Sequence, residues 1–232
     1  MLGNLRPAPD PQRAIARYRA LAPGYDASCW AVTGMRRRAL ELLAPSDGNV
    51  VFDVACGTGP MLTEIARRVG PRGRVIGIEQ SPDMLAVARE RMRRDGVDAT
   101  VTLVEAAAED AQVELPADAF LFFYTHDVLQ SPVALERLFR CARSGARVVA
   151  AGARFLPWWW GAPLNAWTAL RARRYLTTYH GLGRPWRHLE RYCPDFTPIT
   201  SNFLGTAYLG IGRFADRACE RTRNAARPAR VD

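Results

Sequence analysis

Residues 51–60, VFDVACGTGP, bring a carboxylate and two glycines into one short stretch that could do chemistry. Asp53 closes an apolar run, and Gly57 and Gly59 stand where a helical period resumes. A strand that ends in a glycine turn and leads into a helix can press bare backbone against a ligand, because glycine adopts positive φ and carries no Cβ. Glu79 follows at the end of the next apolar run. A carboxylate there can accept hydrogen bonds from both hydroxyls of a ribose. The spacing therefore points twice to a nucleoside. A dinucleotide site calls for a third glycine before the helix proceeds, and here Pro60 and Met61 fill that place.

A second set, Tyr124-Thr125-His126-Asp127, ends the apolar run FLFFY at 120–124. In an open α/β sheet ligands lie outside the carboxyl ends of the strands, so these four residues are expected to face the reacting group of a bound nucleoside or to line the pocket of its reaction partner. An imidazole of ordinary pKa near neutrality makes His126 the general-base candidate; support of its own loop is the other reading. Asp127 orients His126, binds a cationic acceptor, or caps the following turn. A third set lies at 155–198, where Trp158, Trp167, Tyr175 and Tyr179 alternate with arginines such as Arg174. Aromatic faces hold cations and arginines hold carboxylate or phosphate, so this segment is expected to cap the site and bind substrate. The same composition suits a helix on an anionic membrane, or an ordinary apolar cap with solvated arginines.

The elements that must position these sets read as alternating strands and helices. Strands are predicted at 49–54, 74–78, 100–104, 120–124 and 146–152. Helices are predicted from Pro11, over about 30–43, 58–69, 81–94 and 131–142, with Ser81 as N-cap and Pro82 in the first turn. Such alternation predicts a doubly wound α/β sheet, mostly parallel, with helices on both faces. Two runs at 199–203 and 206–212 predict an antiparallel hairpin at its edge, for seven strands in all. The expected organisation is a single domain: a tail and lid helices over 1–44, the main body over 45–214 with the cap insert at 155–198, and a basic tail over 215–232.

The chain of 232 residues has a formal charge of +9, carried by 32 arginines and no lysine. The arginines are scattered through helical segments, which favours solvated helix faces over a nucleic-acid surface. Five cysteines without CxxC pairing indicate neither a disulfide framework nor a zinc site, so no metal is expected. With no apolar leader and no uncharged apolar stretch of membrane-spanning length, the chain reads as cytoplasmic, with peripheral membrane contact as a variant.

The stretch DVACGTGPMLTEIARRVGPRGRVIGIEQSPDMLAVARERM resembles the first two motifs of class I S-adenosylmethionine-dependent methyltransferases, especially those of ubiquinone and menaquinone biosynthesis. The similarity runs over about 18–152, and the D-x-x-x-G-x-G motif falls on Asp53, Gly57 and Gly59. The resemblance implies a Rossmann-like fold and S-adenosylmethionine as cofactor, with S-adenosylhomocysteine as product. It assigns the loop Ala55, Cys56, Gly57, Thr58, Gly59 to the methionine portion, Glu79 to the ribose, and Gln80 with Met84 to the adenine. Tyr124 and Thr125 fall beside the cofactor. The third family motif carries an acid where this chain has Ala107, so that contact is lost or supplied by Glu105, Glu109 or Asp110, with Ala108 as a backbone contact. Tyr18 and Tyr25 fall in the segment that folds over the cofactor in that family, Tyr25 with a pocket role. The implied reaction is methyl transfer to nitrogen or oxygen of a small molecule. A lipid head-group amine is the alternative acceptor. A nucleic-acid methyltransferase is disfavoured, because Thr125-His126-Asp127-Val128 replaces the Asn-Pro-Pro-aromatic signature. A non-catalytic cofactor-binding protein is weakened by the intact first motif. Oligomeric state is left open.

Overall fold

The computed structural model describes residues 8–21, 24–28, 30–200 and 203–216; most of both expected tails lies outside these. Seven strands form one sheet: β1 Val50–Val54, β2 Arg74–Glu79, β3 Val101–Glu105, β4 Ala117–Phe123, β5 Ala142–Ala153, β6 Thr197–Thr200 and β7 Ala207–Arg213. Their order is β3-β2-β1-β4-β5-β7-β6. The first five pair in parallel, and β7 pairs antiparallel with β5 and with β6. The hairpin thus enters the sheet through its second strand, and β6 forms the edge.

Helices flank the sheet as α1 Pro11–Leu21, α2 Tyr25–Ser28, α3 Thr33–Leu43, α4 Leu62–Val69, α5 Pro82–Arg94, α6 His126–Leu129, α7 Pro132–Phe139 and α8 Trp158–Ala172. In β1 Val51, Phe52, Asp53 and Val54 are all buried. Strand residues alternate faces, and two cores result. Val51, Leu121 and Val149 pack against Leu40 of α3 and Leu62 and Ile65 of α4. Phe52, Phe120 and Val148 pack against Leu135 and Phe139 of α7 and Trp186 of the insert. Ser81 caps α5 by accepting from Met84 N, with Pro82 in the first turn, and Ser131 caps α7 in the same way. Both caps satisfy an amide that the helix itself leaves unpaired.

Several bounds differ from the sequence-based expectation. The helix predicted from Thr58 starts at Leu62, because the glycine loop occupies what would be its first turn. Strand β5 begins four residues early, its Gly145 at φ 79° passing the chain into the sheet. The run predicted at 199–203 pairs instead over Thr197–Thr200, since Phe203 and Leu204 take left-handed conformations. No helix among the described residues is long and apolar enough to cross a membrane.

Candidate cofactor and acceptor site

The turn after β1 carries three left-handed residues in five: Ala55 at φ 54°, Gly57 at 59° and Gly59 at 71°. At Gly59 a Cβ would come within 3.0 Å of Leu62 and 3.2 Å of Ala88, so glycine is required for packing of the turn on α4 and α5. At Gly57 a Cβ would meet nothing within 4 Å; that residue opens onto the crevice. Its N–H donates to Glu79 Oε2 at 3.1 Å, and Ser81 N–H donates to Oε1 at 2.8 Å. Two backbone amides thus aim the buried carboxylate. Burial raises its pKa, and these amides oppose the rise.

Three adjoining cavities run along the carboxyl ends of β1, β2 and β4. The smallest, about 40 Å³, lies between Ile78, Ala106 and Ala108 below and Pro9, Asp10 and Ala14 above, with Gln80 and Glu109 at its rim. The next, about 60 Å³, joins Glu79 and Gln80 to Met84, Tyr124 and Thr125. The third, about 480 Å³, opens beyond Gly57 toward α8. Ala55 lines all three. A flat apolar slot, a carboxylate and an open glycine turn in that order match adenine, ribose and the methionine portion. Ala107 is absent from the slot's lining; Glu109 and Asp127 are the acids there besides Glu79 and Asp10. Thr58 turns its hydroxyl away from the crevice, donating to Asp26 Oδ1 at 2.6 Å.

Asp53 and Arg36 face the large cavity together. Burial lifts the Asp53 carboxyl to about 7, with Arg36 holding it down and Glu79 pushing it up. The Nε of Arg36 is buried without a hydrogen-bond partner among the described residues, and its guanidinium sits 5.8 Å from the Phe123 ring centroid. A buried charged donor left unpaired calls for an anion. Sequence reasoning missed Arg36 by placing the run Arg36 to Arg38 on a solvated face. The register was legible, since Arg36 is three and four positions from the buried Ala39 and Leu40.

His126 is buried, and its Nε2 lies 2.9 Å from the carbonyl oxygen of His180. Pairing with a carbonyl makes Nε2 the protonated nitrogen and leaves Nδ1 as a lone pair, which is buried without a partner. Burial drives the imidazole down to about 4, so the near-neutral pKa assumed for it does not hold. Asp127 turns away from His126: its Oδ2 accepts from Thr177 N at 3.0 Å and Thr177 Oγ1 at 2.5 Å. The acid therefore fastens the insert instead of orienting the imidazole.

The N-terminal helices close over the crevice. Asp10 N–H donates to Thr177 Oγ1 at 3.0 Å, Arg17 donates to the Leu176 carbonyl, and Tyr18 Oη donates to the Tyr175 carbonyl at 3.2 Å. Tyr25 meets Tyr18 and Tyr175 edge-on, with centroids 6.0 and 6.1 Å apart. All three rings line the crevice. Asp26 pairs with Arg91 of α5, whose Nε also donates to the Thr58 carbonyl at 3.0 Å. That pair fixes the lid to the glycine turn.

Of the aromatic and basic residues expected to bind substrate, Trp167 and Tyr175 line the large cavity. Trp158, Tyr179 and Arg174 do not: Trp158 stands 81% exposed, Arg174 is exposed, and Tyr179 turns inward to donate to the Ala169 carbonyl at 2.7 Å. Of the arginines expected in the cap it is Arg171 that lines the cavity, and Leu164 and Leu204 are cavity residues that the sequence reading did not single out. Among the described residues no cluster of His, Cys, Asp and Glu could hold a metal ion.

Residues 51–150 match the family described as "Methyltransferase domain". A ubiquinone/menaquinone biosynthesis C-methyltransferase from Hydrogenovibrio crunogenus is 33% identical over 49% of this chain and 46% of its own length. A 2-phytyl-1,4-naphtoquinone methyltransferase from Nostoc punctiforme is 30% identical over 56% of this chain and 60% of its own. The chain thus spans about half the length of the curated relatives it matches. Among solved structures, the [4+2]-cyclase SpnF superposes with a TM-score of 0.66 at 13% identity, covering 92% of this chain and 99% of that one; this likeness is one of fold. Strand order and glycine turn agree with the matched segment: residues 51–150 resemble the methyltransferase domain and form the kind of cradle such a domain presents to S-adenosylmethionine.

Proposed function

We propose that this chain methylates a hydroxylated aromatic ring of the quinone type, drawn into the large cavity beyond Gly57. The observation that carries this reading is the charge of that cavity's wall. Phe123, Tyr124, Leu164 and Trp167 make it apolar and aromatic, Arg36 and Arg171 supply two cations, and Asp53 is its one carboxylate among the described residues. When bound, the cofactor supplies a methyl group on a cationic sulfonium. Asp53 would hold its ammonium and Arg36 its carboxylate, while Glu79 would take the ribose hydroxyls. That assignment leaves Arg171 as the free charge, and a guanidinium beside an apolar slot stabilises a phenolate, not an ammonium. The amine acceptors, whether small molecules or lipid head groups, have no matching carboxylate. Ionisation of the ring hydroxyl makes both the oxygen and the adjacent ring carbon nucleophilic, so methylation at either is open to this wall.

His126 serves by position. With a pKa of about 4 it is a weak proton sink, and its Nδ1 offers the acceptor hydroxyl a hydrogen bond while the proton leaves to solvent. Catalysis is then alignment of ring and sulfonium in a dry pocket.

The test incubates the protein and S-adenosylmethionine with a short-tailed demethylated naphthoquinol, or with phosphatidylethanolamine. Release of S-adenosylhomocysteine together with methylated quinol supports the reading. Methylation of the amine alone, or cofactor binding without any release of that product, overturns it. The cyclase of similar fold makes the second outcome a real alternative.

A further inference from the structure

We infer that the mouth of the large cavity docks on an anionic lipid bilayer, so that the acceptor enters from the membrane. The inference deepens the proposed function in one respect only, the acceptor's apolar character; the docking surface is argued from its own residues. Trp167 at 57% exposed, Phe203 at 46% and Leu204 at 77% line the cavity and face solvent at once. They form its rim. Around them α8 continues the apolar surface with Trp158 at 81% exposed, Trp159 at 72%, Trp160 and Leu170. The sixteen residues 155–170 carry no charge. The helix thus exposes four indoles and the loop a phenylalanine and a leucine, more exposed apolar surface than a face turned only to water needs.

Charge selects the occupant. Of the arginines in the cap segment, Arg184 is paired with Glu190, and the three that follow the apolar helix stretch are not, among the described residues. Arg171, Arg173 and Arg174 follow directly on the apolar stretch, are exposed, and form no ion pair among the described residues. An apolar helix face rich in tryptophan beside unneutralised arginines matches the acyl boundary and phosphate layer of an anionic membrane. Indoles prefer that boundary, where one edge is apolar and the N–H is hydrated. The loop at the rim is held in an outward-facing shape. Phe203 and Leu204 sit at φ 62° and 54°, and Arg154 Nε donates to the Gly205 carbonyl at 2.7 Å, fixing two large apolar side chains toward solvent.

The experiment compares vesicles of phosphatidylcholine with vesicles containing a third phosphatidylglycerol, using the whole chain. Co-sedimentation with the anionic vesicles only, lost at high salt, is expected, together with a blue shift of tryptophan emission and quenching by brominated acyl chains. The double variant Trp158→Ser/Trp159→Ser should lower vesicle partitioning by about tenfold or more while S-adenosylmethionine affinity stays unchanged, which certifies its fold. Equal binding to both vesicle types, binding that survives the double substitution, or a wild-type dimer that the substitution turns to monomer without any vesicle binding would each overturn the inference. Methylation of a short-tailed soluble acceptor is assayed separately, so failure of docking and failure of the methyl-transfer reading remain distinguishable.

Discussion

Asp53 and Arg36 are a matched pair whose protonation should be felt in cofactor binding. The Asp53 carboxyl, at about 7, is largely protonated in mildly acidic buffer, whereas an ammonium beside it requires the carboxylate. Affinity for S-adenosylmethionine is therefore expected to fall toward tenfold per unit as pH drops below 7, with a proton released on binding. Calorimetry in buffers of different ionisation enthalpy measures that proton directly. Arg36→Met removes the cation that lowers the Asp53 pKa, so it should weaken binding and shift the pH midpoint upward; an unshifted midpoint would separate the two side chains. Gly57→Val should abolish binding, because the new side chain enters the open crevice and φ 59° strains it. Glu79→Ala should cost about 1 to 3 kcal/mol of binding. Legibility at this scale followed backbone logic. Asp53, Gly57 and Glu79 could be found because a strand-turn-helix fixes where they point, while Arg36 is defined by the burial of one face of a helix, which a run of three arginines conceals. The low pKa of His126 was out of reach as well, since it comes from burial of the ring in the folded chain, which the carbonyl of His180, 54 residues away, only partly opposes.

Among the elements, the lid is the one whose attachment can be cut. Asp26 bridges α2 to the glycine turn through Thr58 and to α5 through Arg91. Asp26→Ala is expected to loosen Tyr25 and Tyr18 over the crevice, raising the cofactor dissociation rate more than it lowers the melting temperature, as stopped-flow displacement and thermal unfolding would show together. Strands and helices of the main body were readable because buried parallel strands are continuous apolar runs and each helix after them repeats at helical spacing. The segment 155–198 was not. Its helix α8 carries Pro163 in its interior and buries only Gly161, Thr168 and Ala172 as small residues, so no apolar stripe announces which side meets the protein.

For the molecule as a whole, acid should act through His126 and Asp53 in opposite senses. The His126 imidazole titrates near 6.5 when unfolded and near 4 when folded. As pH falls from 6.5 to 4 the unfolded chain gains a proton that the folded chain refuses, and the contribution of His126 to stability drops by about 3 kcal/mol over that window. Asp53 works in the opposite sense: its folded carboxyl binds a proton below about 7, and the unfolded one does so only near 3.8. Denaturant titrations of wild type and His126→Gln across that range should therefore diverge, the variant gaining relative stability as pH falls. A constant difference would mean that the imidazole titrates normally in the folded protein. The parallel, doubly wound character of the first five strands could be anticipated because alternating strands and helices favour right-handed crossovers, whereas the insertion of β7 between β5 and β6 rests on long-range pairing.

The three tyrosines that meet over the crevice also set a clock. Tyr18 and Tyr25 belong to the lid and Tyr175 to the insert, and the bonds from Asp10, Arg17 and Tyr18 fasten one to the other. If the proposed methyl transfer runs beneath this clasp, departure of S-adenosylhomocysteine is expected to require its parting, and that release, not bond formation, to govern the steady state, as in many enzymes that work beneath a closing lid. Rapid-quench measurement should show a first turnover faster than those that follow, and replacing Tyr18 with Phe, which keeps the ring and removes its bond to the Tyr175 carbonyl, should raise the steady rate while leaving that first turnover unchanged.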